Sequence, residues 1–122
     1  MMPRWDNKRP TVQMLGRWQP WHDGHLALFK RAHAKTGQVA VMVRDVGGSK
    51  DNPFDFIDVK NRIIDGLTAA GYTHQRDFMV LLVPNIVNIT YGRSVGYTIE
   101  QEVFDDETHA ISATKIRKEM GL

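Results

Sequence analysis

Residues 16–29 read GRWQPWHDGHLALF, and the fold turns on what happens inside them. Just ahead, residues 11–15 (TVQML) make a short apolar run of the kind that forms a buried strand. Just behind, Leu26, Phe29 and Ala32 recur at helical spacing, with Lys30, Arg31 and Lys35 on the other faces. The stretch is therefore a strand-to-helix junction. It holds two of the five histidines in the chain, His22 and His25, around Asp23 and Gly24, with Pro20, Trp18 and Trp21 immediately before or between.

The same alternation continues outward. QVAVMV (residues 38–43) reads as a second buried strand, with Gly37 as the stop before it. GGSKDNP (47–53) is a loop. Phe56, Val59, Ile63, Ile64 and Leu67 mark an amphipathic helix that ends before Gly71. FMVLLV (78–83) is a third strand, closed by Pro84. Residues 86–90 and 98–103 read as short further strands, and 111–120 as a short terminal helix with Ile116 and Met120 as its buried stripe. Strand, helix, strand, helix, strand predicts an α/β fold: a single Rossmann-like domain with a mainly parallel sheet and helices on both faces. Residues 1–10, with Pro3 and Pro10, read as an irregular N-terminal arm, and 11–122 as the domain. Ligands of such sheets bind beyond the carboxyl ends of the strands, near the switch point. The first such end is residues 16–25.

Composition narrows the chemistry. The chain has 122 residues, 42% of them hydrophobic and 25% charged, which suits one globular domain. Net charge is +2 with acids and bases interspersed, so neither a nucleic-acid nor a membrane surface is expected. There is no cysteine, which excludes disulfides, thiolate metal ligands and cysteine nucleophiles. No apolar run reaches the roughly 18 residues of a membrane span. MMPRWDNKRP lacks a signal-peptide core, so the expected location is cytoplasmic.

At a strand-to-helix junction the first helical turn offers unpaired N–H groups and the positive end of the dipole, an arrangement suited to phosphate. His25 falls in that turn and His22 just before it. Gly24 lets a ligand approach the backbone, and Pro20 stiffens the approach. Two imidazoles there can stabilise charge growing on phosphate oxygens without a covalent intermediate. The plainer reading is a capping histidine and a surface histidine packed by Trp18 and Trp21. A zinc site is a third reading, but the spacing is not the helical i, i+4 pair and no third ligand is apparent, so no metal ligand is assigned. His33 reads as packing or surface, and nothing recommends His74 or His109.

The chain ends AISATKIRKEMGL. Ser112 is an N-cap candidate, yet Lys115 stands where a capping box would have glutamate, and Arg117 and Lys118 crowd a short helix. A bound anion resolves the conflict, with Ser112 and Thr114 donating hydroxyls and Arg117 the charged contact. Cations that merely suit the helix C-terminus explain it equally well.

Together the two segments resemble the HxGH nucleotidylyltransferase superfamily. His22, Gly24 and His25 match HxGH. Ile111, Ser112, Thr114, Ile116 and Arg117 match its ISxTxIR-like element. GRWQPWHDGH is also similar to the GRFQPFHxGH form of archaeal-type nicotinamide-nucleotide adenylyltransferases, with tryptophans for phenylalanines, and Asn52, Pro53 and Phe54 resemble a short NPF element of that group. The resemblance implies a nucleotidyltransferase: transfer of a nucleoside monophosphate from a nucleoside triphosphate to a phosphate-bearing small-molecule acceptor, with release of pyrophosphate. His22, His25 and Arg117 would be catalytic, and Gly16, Arg17, Trp18, Gly24, Ser112 and Thr114 would bind phosphate. Mg2+ would arrive with the nucleotide.

The span between the third strand and the second motif is shorter than in the nicotinamide enzymes, which leaves the acceptor open. Tyr91, Gly92 and Arg93 stand on its side of the pocket, as does Arg44 after the second strand; an ordinary turn, or pairing near Asp45, explains these equally. The cytidylyltransferase branch often has an arginine ahead of its ISTT-like element; DDETHA here has none, which favours ATP over CTP. A nucleotide-binding module without turnover is the remaining alternative. The NPF loop and the arm around Trp5 are candidate surfaces for a homo-oligomer.

Overall fold

The three apolar runs become three parallel strands. In a computed structural model, which describes residues 4–93, 96–104 and 112–122, β1 (Val12–Gly16), β2 (Val39–Arg44) and β3 (Phe78–Val83) form one sheet in the order β1-β2-β3. Helix α1 (Asp23–Thr36) connects the first pair, and α2 (Phe56–Ala69) the second. A third helix, α3 (Ala113–Glu119), lies near the C-terminus.

Register decides which side chains meet. Val12 lies beside Val39, and Val39 beside Phe78. Met14, Val39, Val41, Val43, Phe78 and Val80 therefore share one face, and all are buried. Onto them α1 brings Phe29 and Ala32, while α2 brings Val59, Ile63 and Leu67 at i, i+4, i+8. Phe29 meets Phe78 edge to face with ring centroids 6.0 Å apart. Burying each large side chain of this set contributes roughly 1.5–3 kcal/mol, so this single cluster carries the hydrophobic stabilisation.

The α/β class and the parallel sheet are as the sequence predicts; the distribution of helices differs. Strand order follows chain order, so two right-handed crossovers place α1 and α2 on the same face. Val59 accordingly lies with Val43 and Leu82, which are neighbours on that face. On the opposite face Leu15, Ala40, Met42 and Met79 stay half-buried and Leu81 is exposed. For the same reason the three strands make no switch point: among the described residues β1 is an edge strand, and the candidate site falls at its carboxyl end.

The expected strands at 86–90 and 98–103 do not form. Val87, Ile89, Ile99 and Val103 have the right residue types but stay exposed with no ladder beside them, and strand preference without a partner makes no strand. The second segment instead lies along α1. Lys35 pairs with Glu100 and Glu102, and Arg31 donates to the Val103 carbonyl at 2.6 Å.

Helix ends follow their sequence signals. Gly37 closes α1 at φ +77°, its N–H bonded to the His33 carbonyl at 2.7 Å. Asp55 opens α2 by accepting the Asp58 N–H at 2.9 Å. The terminal helix is shorter than expected, and its stripe is not buried: Met120 is exposed and Ile116 only half-buried. Residues 4–10, the described part of the N-terminal arm, are irregular but tied down. Gln38, wholly buried, donates through Nε2 to the Asp6 carbonyl (2.9 Å) and to Thr11 Oγ1 (2.7 Å), and accepts the Asp6 N–H at 3.2 Å.

Candidate functional site

The site begins with a steric requirement. A Cβ on Gly16 would lie 2.8 Å from the Trp18 indole, so only glycine lets that ring fold back over the end of β1. Trp18 takes φ +52°, a left-handed backbone uncommon for a bulky residue. Burial to 6% exposure and a hydrogen bond from its Nε1 to the Met42 carbonyl (3.1 Å) hold it there. The loop that follows thus leaves β1 in a fixed direction.

The two histidines then cap α1 reciprocally. His22 is the N-cap, and its Nδ1 accepts the Gly24 N–H at 3.0 Å. His25, three residues on, accepts the His22 N–H through its own Nδ1 at 3.1 Å. This is a capping box in which both side chains are imidazoles. The rings stack with centroids 3.6 Å apart and planes 19° from parallel. Trp18 stands edge-on to His25 at 4.7 Å and Trp21 lies 5.4 Å from it, enclosing the ring on its apolar side.

The hydrogen bonds dictate the tautomer. A nitrogen that accepts an N–H carries no proton, so each neutral ring must hold its proton on Nε2. Both Nε2–H groups are left without a protein partner among the described residues, and neither is buried. Burial, then the neighbouring His22, push the His25 pKa down to about 3. Burial also lowers His22, partly offset by Asp23. At neutral pH the pair is uncharged and presents two N–H donors side by side at the start of a helix. In this tautomer neither Nε2 offers a lone pair to a metal, and among the described residues no three metal-ligating side chains converge.

The C-terminal segment meets this loop. Arg117 donates through Nη1 to the Gln19 carbonyl at 2.5 Å, three residues ahead of His22, and its Nη2 lies 3.4 Å from Thr114 Oγ1. Ser112 caps α3, its Oγ accepting the Lys115 N–H at 3.1 Å, and its hydroxyl hydrogen remains free to donate. Ser112 and Thr114 are exposed. Ile111, the first residue of the second motif, and His109 lie outside the described residues.

Other expected residues make contacts of their own. Arg44 donates from Nε and Nη2 to Asn85 Oδ1 at 3.2 and 2.8 Å. It borders, with Leu15, Ile86, Val87, Asn88 and Ile89, an open cleft of about 390 Å³. Arg17 is exposed and reaches Asn52 only at 3.4 Å. Tyr91 meets Tyr97 edge to face at 6.0 Å. Among the described residues nothing joins Tyr91, Gly92 or Arg93 to the histidines. His33 pairs with Asp77 at 3.0 Å, at the far end of α1.

One residue escapes the sequence reading and another is misplaced by it. Gln19, 4% exposed, donates from Nε2 to the Phe54 carbonyl (2.8 Å) and accepts the Phe54 N–H through Oε1 (2.9 Å). Phe54, expected on an exposed NPF surface, is in fact buried, because this clamp draws it against the histidine loop and Arg62 lies over its ring at 4.5 Å. The signal available was the polar Gln19 within an aromatic run. No family model matches the chain, and neither a curated protein nor a solved structure does.

Proposed function

We propose that the protein is a nucleotidyltransferase that moves a nucleoside monophosphate, AMP from ATP, to a phosphate-bearing small-molecule acceptor. An acceptor phosphate oxygen attacks the α-phosphorus. The bond from that phosphorus to the bridging oxygen breaks, and pyrophosphate leaves with the electron pair. Magnesium enters as part of the nucleotide substrate, carried by phosphate oxygens and water.

The observation that carries this reading is the stacked His22–His25 pair, with both Nδ1 atoms committed to backbone N–H groups and both Nε2–H groups free. Neutral donors fixed before the reaction suit an oxygen whose negative charge grows during it. They do not suit proton transfer near pH 7, since His25 gains a proton only near pH 3. Arg117, fastened to the same loop, supplies the positive charge that a leaving pyrophosphate needs. Its remaining donors, with the Ser112 and Thr114 hydroxyls, suit the β- and γ-phosphates.

The test is pyrophosphate release from each nucleoside triphosphate, with magnesium and a panel of phosphorylated acceptors. Release with ATP is expected. Release only with CTP would move the donor to the cytidylyl alternative, and tight binding without release would make the protein a nucleotide-binding module.

A further inference from the structure

Gln19 joins three segments: the histidine loop, the main chain at Phe54 and Arg117 near the C-terminus. Its position in the chain places it in the histidine loop. Its side-chain amide spends both ends on the main chain of Phe54, at 2.8 and 2.9 Å, with the side chain buried. Its main-chain oxygen receives Arg117 at 2.5 Å. This two-point clamp anchors Gln19 to the Phe54 main chain, so the stretch of loop that carries its carbonyl is braced from the far side. Gly47 lies beneath the clamp: a Cβ there would stand 2.6 Å from the Phe54 oxygen.

We propose that Gln19 is the positioning residue that aims Arg117 at the phosphate bound by His22 and His25, using its amide clamp on Phe54 to fix the carbonyl that holds the guanidinium. The consequence for binding rests on the triphosphate reading above. Arg117 joins a loop 98 residues away through this bond alone among the described residues, apart from its own-helix contact with Thr114. Without the clamp the loop that carries the carbonyl loses its brace, and the guanidinium, on a short helix with no buried side chain of its own, loses a fixed partner. Gln19 touches no reacting atom in this scheme; it acts through Arg117.

A double-mutant cycle tests it, with Gln19→Met, Arg117→Ala and the double variant, each titrated with inorganic tripolyphosphate by calorimetry. Gln19→Met should weaken binding about tenfold when Arg117 is present, the scale of a lost charge-assisted contact, and less than about twofold when it is alanine. Equal weakening in both backgrounds would make Gln19 merely structural and overturn the proposal. The side-chain nitrogen NMR spectrum of Arg117 gives a ligand-free measure: hindered rotation in the wild type, fast rotation in Gln19→Met. An unchanged spectrum overturns the proposal as well. If the wild type binds no tripolyphosphate, the nucleotide reading falls, and the Arg117 spectrum alone decides Gln19. Should Gln19→Met not fold, Gly47→Ala displaces the Phe54 carbonyl and is read in the same two ways.

Discussion

The two ends of the sheet are built with the same parts and finished differently. At each end a buried glutamine braces the main chain of a distant segment, Gln38 that of Asp6 and Gln19 that of Phe54. At each end helix α1 supplies histidine. At the amino end His33 meets Asp77, whose carboxylate also accepts the Thr73 N–H (2.7 Å) and Arg76 (3.0 Å). At the carboxyl end no carboxylate among the described residues bonds to His22 or His25, and Asp23 acts on His22 only through its charge. The two imidazoles accept only backbone N–H groups, and their outer nitrogens keep donors to spare. An end whose polar groups satisfy one another is architecture. An end that fixes donors and leaves them free among the described residues has the chemistry that the proposed phosphate site requires.

The largest effect should come from the open end. Under the proposed function, His22→Ala or His25→Ala removes a donor whose bond tightens in the transition state, so kcat should fall about 100-fold or more with little change in nucleotide affinity. Steady-state kinetics on both variants checks this, and unchanged turnover in both would leave the two ends functionally alike. The reverse experiment targets the closed end. Gln38→Ala strands the Asp6 and Thr11 groups and should cost about 2 kcal/mol of stability by denaturant unfolding, while triphosphate binding stays as it was.

Acid sharpens the contrast. The His25 pKa is lowered in the folded state, so between about 6.5 and 3 the unfolded chain binds more protons. Stability should therefore be full above pH 6.5 and decline as pH falls, by at most about 1.4 kcal/mol per pH unit from this group. His25→Gln keeps a capping acceptor and cannot titrate, so its unfolding midpoints should be flatter over that window. The smallest effect belongs to Asp77. Burial pushes its carboxyl up, but hydrogen bonds from Thr73, His33 and Arg76 outweigh this and hold it below the usual range. That stabilisation is present above the ordinary carboxylate pKa and lost as pH falls through the lowered value. Asp77→Asn should cost about 1 kcal/mol at neutral pH and remove that lower acid limb.

Much of this was legible in the chain. Periodicity located all three strands and both long helices, because apolar spacing is a local property that the folded core merely uses. Gly37 announced the end of α1, and HDGH marked the junction where the site lies. The proposed strands at 86–90 and 98–103 failed for the opposite reason: a strand needs a neighbour, and residue type does not supply one. Phe54 looked like an exposed anchor because its burial depends on Gln19, which is 35 residues away.

By itself, then, the amino-acid order determined the α/β alternation, the placement of two histidines at a helix start and the absence of thiol chemistry, all of which depend on neighbours within a few residues. Only the tertiary structure decided that both long helices share one face, that each imidazole holds its proton on the outward nitrogen, and that Arg117 is fastened to the Gln19 carbonyl. The shared face and the Arg117 bond depend on packing and hydrogen bonds between segments far apart in the chain. The tautomer depends on the folded geometry of two local bonds, Gly24 N–H to His22 and His22 N–H to His25, which residue types alone do not fix.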